Sequence, residues 1–158
     1  LSNKISRNIS ATVDFMLLLE QSNYLEINQI RRAIALECFR NIFHKCTPRD
    51  IRLLQKVVER MQSKKRRGHY DKLFHDIILR ISNNKLMISI MNALSVICQD
   101  LIDNLFKLAS RETLTNIINS HKRIIDSIVK RDEIAGYMAV NEHYDLVDKE
   151  ICKWKEAL

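Results

Sequence analysis

The sequence predicts an all-α fold, an antiparallel bundle of about six or seven helices. Three observations carry this. The chain of 158 residues holds two glycines and one proline, too few turn residues for a sheet or barrel. Apolar residues recur at steps of three and four over long stretches. No strand-length alternation, internal repeat or low-complexity segment interrupts them.

The elements follow in order. A first helix is expected over about 4–21. A second, over about 26–45, places Ile27, Ile30, Ile34, Cys38 and Ile42 on one face and Ala33, Leu36, Phe39 and Phe43 on another, which predicts a central, largely buried helix. Thr47-Pro48-Arg49-Asp50 reads as an N-cap, a proline at the first helical position and an acidic first turn. It opens a third helix to about 64, with Ile51, Leu54, Val58 and Met61 inward. After Lys64-Lys65-Arg66-Arg67-Gly68, a fourth helix over about 69–82 carries Phe74, Ile77, Ile78 and Ile81, and Ser82-Asn83-Asn84 breaks it. A fifth, over about 85–108, carries Met87, Met91, Leu94, Cys98, Leu101, Leu105 and Leu108. Ser110 caps a sixth over about 111–131, whose stripe is Leu114, Ile118, His121, Ile125 and Ile128. Asp132 caps a seventh over about 133–156, whose stripe is Gly136, Val140, His143, Val147, Ile151 and Trp154. Short connections favour antiparallel neighbours.

Composition narrows the setting. No apolar run approaches the roughly 20 residues of a membrane span, and LSNKISRNIS is not a signal peptide. Four cysteines show no paired spacing, which fits free thiols in a reducing cytoplasm. The chain opens without Met on a predicted helix, so a fragment of a longer protein is expected. The net charge of +7 is uneven: residues 1–70 hold 14 Lys+Arg against 6 Asp+Glu, and residues 71–158 hold 12 against 13. The KKRR run reads as a solvated loop, or as a segment near nucleic-acid phosphates; no aromatic interleaving supports base stacking there.

Four residues carry chemistry. Asp71 and His75 are four apart and share a helix face. His121 and His143 fall inside apolar stripes, where an unpartnered ring nitrogen costs about 1–3 kcal/mol. A shared divalent metal would satisfy all three imidazoles; hydrogen-bonded core histidines are the alternative, and spacing does not decide between them. Three His and one Asp form a nitrogen and oxygen set of borderline hardness that suits Zn²⁺ foremost, then Ni²⁺, Mn²⁺ or Fe²⁺. His44 and His69 read as exposed.

Residues 26–151 resemble the C-terminal effector-sensing (FCD) domain of the FadR branch of GntR-type bacterial transcription regulators. Gln29-Ile30-Arg31-Arg32-Ala33 is similar to the family's opening E-(V/I)-R-x-x. Asp71-Lys72-Leu73-Phe74-His75, followed by Asn84, is similar to its D-x-x-F-H and later Asn. His121-Lys122-Arg123-Ile124-Ile125 resembles its H-x-x-I-(I/L), and Asp132, Gly136 and His143 its D-x3-A-x6-H. Three positions depart: Ala35 stands for a Glu, Ser120 for an acid before the third ligand, and Gly136 for Ala.

The resemblance implies a metal held by Asp71, His75, His121 and His143 in a core cavity, and a small organic acid bound against it. It offers Arg31 and Asn84 as effector contacts; Arg31 is otherwise an intramolecular ion pair and Asn84 a cap. It further implies a homodimer and a cytoplasmic regulator that meets DNA only through an N-terminal winged helix-turn-helix outside this chain. Residues 1–158 would then be a single ligand-sensing domain with no catalytic residue. A metalloenzyme acting on a small carboxylate and a metal-free helical interaction domain are the rival readings.

Overall fold

Local signals set the helix ends. The computed structural model describes residues 12–13, 24–63 and 66–156. Among them are seven helices: α1 (Tyr24–Phe43), α2 (Pro48–Arg60), α3 (Arg67–Ser82), α4 (Lys85–Ile97), α5 (Gln99–Leu108), α6 (Arg111–Lys130) and α7 (Glu133–Glu156). The helix expected over 4–21 lies outside the described residues except for Thr12 and Val13, which are helical.

The expected caps are in place. Thr47 and Asp50 form a reciprocal capping box ahead of α2, the Asp50 N–H donating to Thr47 Oγ1 at 3.2 Å and the Thr47 N–H to the Asp50 carboxylate at 2.9 Å. Ser110 Oγ accepts from the Thr113 N–H at 3.0 Å to open α6, and Asp132 Oδ1 accepts from the Ala135 N–H at 2.9 Å to open α7. Between those two helices Arg131 takes a left-handed conformation, φ 57°. Arginine adopts it at a cost of about 1–2 kcal/mol. Its guanidinium offsets that by donating from Nη1 to the Phe43 carbonyl at 2.7 Å, tying the turn to the end of α1.

The tight α6–α7 turn fixes an antiparallel register. Ser127 meets Gly136, His121 meets His143, and Thr113 hydrogen-bonds Glu150, in opposite chain order along the two helices. Helix α1 packs on α7 in the same sense, Phe39 against Tyr137 near one end and Asn28 against Asp148 near the other. Helix α3 packs against both α1 and α2, and α2 reaches across to α6. Phe39, Ile42, Leu54, Phe74, Met91, Ile117, Ile128 and Tyr144 form the fully buried centre. A side chain of that size contributes roughly 1.5–3 kcal/mol when buried.

Three expectations are corrected. The helix predicted over 85–108 is two helices meeting at Cys98, whose φ and ψ of −86° and 0° end one and start the other, with a bend of 60°. The apolar stripe keeps its phase through this one bent residue, so periodicity could not reveal the break. The bend turns Leu101, Ile102 and Leu105 toward a small cavity beside Arg31 and leaves Leu108 70% exposed. On α1, Ile30 is 51% exposed and Ala33 is exposed, because the inward positions go to Asn28 and Arg31.

Gly136 sits where α7 crosses the Phe39 ring. A Cβ there would lie 1.9 Å from Phe39 Cζ, 2.5 Å from Cε1 and 2.7 Å from Ser127 Oγ. Phe39 is 1% exposed and has little room to retreat. Alanine would gain about 0.5–1 kcal/mol in helix propensity, but overpacking costs about 1–3 kcal/mol. Gly136→Ala is therefore expected to lower the melting temperature by about 2–8 °C; a rise would show that α7 can shift away from α1 freely.

Candidate metal centre

Helices α3, α6 and α7 bring the four predicted residues together. Asp71, His75, His121 and His143 each offer one ligand atom, all within 4.8 Å of one another. The helical spacing of Asp71 and His75 turns both toward the same point, and the α6–α7 register stacks His121 on His143, ring centroids 4.4 Å apart. His75 lies 5.0 Å from His143 and 5.5 Å from His121 by centroid. Phe74, fully buried, braces the His121 ring edge-on at 4.6 Å. His44 and His69 are exposed and take no part.

A chain of hydrogen bonds fixes the tautomers. Ser120 Oγ donates to the Ile117 carbonyl at 2.6 Å, so toward His143 Nδ1, 3.1 Å away, it acts as acceptor. His121 Nδ1 donates to the same carbonyl at 2.8 Å. Both rings thus carry their proton on Nδ1, and both present a bare Nε2 to the cluster. The hydroxyl of Ser120 orients His143 without adding charge.

The cluster is short of partners. The Nε2 atoms of His75 and His121 are buried without a hydrogen bond. His121 Nε2 is 3.1 Å from Asp71 Oδ1 without forming a hydrogen bond, and His75 Nε2, 3.9 Å from Asp71 Oδ2, is too far for one. Burial pushes the His75 imidazole down to about 4, against the pull of Asp71, and burial plus the neighbouring imidazoles push His143 well below its ordinary value. Burial pushes the Asp71 carboxyl up; His121, His75 and His143 outweigh this to the extent that they are protonated, and then hold the group below the usual carboxylate range. The result is one buried carboxylate beside the His75 and His143 imidazoles, which burial keeps from taking up protons, with unpartnered Nε2 atoms on His75 and His121. That donor set suits a divalent cation of borderline hardness.

Beside the centre lies a cavity of about 20 Å³, lined by Asp71 and His143 of the cluster together with Asn28, Arg31 and Tyr144. Arg31 is 5% exposed, makes no ion pair among the described residues, and has an unpartnered Nε. Its neighbour Arg32 takes the carboxylates instead, reaching Asp145 at 2.7 Å and Asp148 at 2.6 Å. Asn28 is 1% exposed; its Nδ2 donates to Asp148 at 2.7 Å while its Oδ1 is unpartnered. The buried Tyr144 hydroxyl is also unpartnered, and burial pushes its pKa up to about 12. Sequence reasoning missed Asn28 and Tyr144. The available signal was position: Asn28 lies one turn before Arg31, and Tyr144 adjoins His143. Asn84 is not at the cavity. Its Oδ1 caps α4, accepting from the Leu86 and Met87 N–H groups at 3.1 Å each.

The depressed imidazoles set a pH dependence for the metal-free protein. An unfolded His75 takes a proton near pH 6.5, whereas the folded one refuses it until about 4. Folded protein therefore binds fewer protons in that window, and stability falls as pH drops through it, by on the order of 3 kcal/mol from His75. His143 adds to this with the same sign. Thermal melts of metal-free protein should be flat above pH 7 and decline from about 6.5 toward 4, less steeply in His75→Gln. A flat wild-type profile over that range would contradict the buried, neutral imidazoles.

Comparison with known proteins places this geometry in a family. The model of the FCD domain matches residues 26–146. The chain is 27% identical over 140 residues to the "Uncharacterized HTH-type transcriptional regulator YcbG" of Bacillus subtilis (strain 168), a match that spans 87% of this chain and 58% of that protein. Its fold is similar to that of E. coli McbR/YncC, with a TM-score of 0.72 at 19% identity over 82% of this chain and 64% of that one. The chain thus spans about three-fifths of the length of the proteins it matches. No single helix among the described residues is long and apolar enough to cross a membrane. The match over residues 26–146 shows that the chain belongs to the FCD domain family.

Proposed function

We propose that this chain is the effector-sensing and dimerisation domain of a cytoplasmic, GntR-type transcription regulator, that it holds a divalent metal, Zn²⁺ foremost, and that it binds a small organic acid. One observation carries the reading: a buried guanidinium without an ion pair among the described residues lines the same small cavity as Asp71 and His143, and the cluster those two belong to leaves two imidazole nitrogens, on His75 and His121, without partners. Left unsatisfied, each such group costs about 1–3 kcal/mol, and a charged one more. A cation within the cluster and a carboxylate at Arg31 would satisfy all of them. The regulator named among the relatives supports control of transcription over catalysis.

The holding residues are Asp71, His75, His121 and His143. When bound, a divalent ion supplies a fixed positive centre that offsets Asp71 and attracts a carboxylate. Arg31 offers a planar fork to the same or a second carboxylate. Asn28 Oδ1 accepts from, and the Tyr144 hydroxyl donates to, the rest of the ligand. Asn84 stays with the helix cap, away from the cavity, and is left out of the ligand contacts. An acid alters DNA affinity only by preferring one arrangement of the dimer over another, and DNA itself is met through a domain outside this chain.

Elemental analysis of protein purified without chelator is expected to give about one metal per chain for wild type and near none for Asp71→Ala or His121→Ala. Ser120→Ala should keep the fold and weaken metal affinity about 10–100-fold, because His143 loses its orienting acceptor. Arg31→Ala should keep the metal yet weaken binding of small carboxylates, titrated calorimetrically from acetate to citrate, by on the order of 30-fold or more. Wild type that stays metal-free after exposure to Zn²⁺, Ni²⁺, Mn²⁺ and Fe²⁺ would sink the metal reading. Equal carboxylate affinity in Arg31→Ala would sink the effector assignment alone.

A further inference from the structure

A cleft of about 940 Å³ opens between the end of α2, the start of α3, the α5–α6 junction and the outer face of α6. Arg67, Lys107, Arg111 and Lys122 line it, and no carboxylate does. Arg67 closes the KKRR run. Its Nε donates to the Met61 carbonyl at 3.0 Å and its Nη2 to that of Gln62 at 3.3 Å, which fixes the guanidinium at the rim. One side chain, Phe106, lines both this cleft and the buried cavity beside the four ligand residues. It is half-buried and packs beside Gly68, where an added Cβ would lie 3.7 Å from Phe106 Cδ2. The nearby Asp103 carboxylate faces the Gly68 backbone and accepts from Gln99 Nε2 at 3.2 Å; it does not line the cleft.

We propose that the basic cleft is the anteroom through which a small anion reaches the buried cavity, with Phe106 as the partition between them. The proposal rests on the reading of that cavity as a carboxylate site. Four cations without a carboxylate in a concave surface concentrate anions and raise their rate of arrival. The cavity itself, at about 20 Å³, has room for about one water. An acid of several heavy atoms enters only if a wall moves. Phe106 is the wall shared with the cleft, carried on a ten-residue helix that is bounded by the Cys98 bend and Ala109. The device discriminates by charge: an anion gains from the cleft, and a neutral molecule of the same shape gains nothing.

Two alkylating reagents of nearly the same shape, anionic iodoacetate and neutral iodoacetamide, test this on metal-free protein. Cys98, 1% exposed, does not itself line the cavity but lies beside Arg31, which does, so reagent that enters the cavity meets it past Arg31. Exposed Cys152 gives the intrinsic reagent ratio, and Cys38, 0% exposed on α1, reports opening of the whole fold. Peptide mass spectrometry follows each site.

Cys98 should react faster than Cys38. Its iodoacetate-to-iodoacetamide ratio, normalised to Cys152, should fall roughly 3- to 10-fold in the double variant Lys107→Glu/Lys122→Glu and lose its salt dependence. Phe106→Ala should speed both reagents at Cys98 and leave Cys38 and Cys152 unchanged; Phe106→Leu should do so more weakly. An unchanged ratio in the charge-reversed protein, or Cys98 reacting no faster than Cys38 in Phe106→Ala, overturns the proposal. No metal enters the assay, so its failure leaves the metal reading standing, and the alkylation rates decide the role of the cleft even in a protein that binds no metal.

Discussion

The burial of one carboxylate among three imidazoles is the constraint around which the bundle is arranged. A charged Asp71 at 5% exposure is costly alone, and three desolvated rings cannot all take up protons to balance it. The fold meets part of this cost by tying two rings through Nδ1 to a single backbone carbonyl, that of Ile117, directly for His121 and through Ser120 for His143. It leaves the Nε2 side open. This arrangement depends on elements far from the cluster. The Arg131 turn sets which residue of α6 faces which residue of α7, and Gly136 lets α7 lie against Phe39. A slip of one residue in either would carry His143 away from Asp71.

The α1 residues at the cavity obey the same logic with the opposite sign. Helix α1 gives inward positions to Asn28 and Arg31 and leaves Ile30 in solvent, which sacrifices apolar burial for buried polarity. Arg32 satisfies Asp145 and Asp148, so these acids are not available to neutralise Arg31. The Cys98 bend then brings α5 over the cavity as its lid. A buried cation, a buried anion with ligating rings, and a small space between them are expensive to maintain for structure alone. Proteins carry such costs where a ligand relieves them.

Much of this was legible in the sequence, and the failures have physical causes. Capping residues act locally, so Thr47, Ser110 and Asp132 announced their helices. Periodicity gave the inward positions of His121 and His143 correctly, because α6 and α7 each present one continuous buried stripe. It failed on α1, where two apolar faces compete and a tertiary partner decides between Ile30 and Arg31. It failed at Cys98, because a bend of one residue preserves the phase of the stripe. That three helices converge on one point is a property of packing; spacing alone left metal and core histidine as alternatives, and the structure brings the four side chains together. Asn28 and Tyr144 escaped notice because their role shows only as atoms left without partners.

Anomalous scattering from crystals of the protein purified without chelator, measured on both sides of the absorption edges of the candidate metals, tests the central claim most directly. The account predicts a single strong peak enclosed by the Asp71 carboxylate and the Nε2 atoms of His75, His121 and His143, present above one metal's edge and lost below it. No peak at that position after exposure to Zn²⁺, Ni²⁺, Mn²⁺ and Fe²⁺, with water or direct Asp71–His hydrogen bonds filling the space instead, would contradict it.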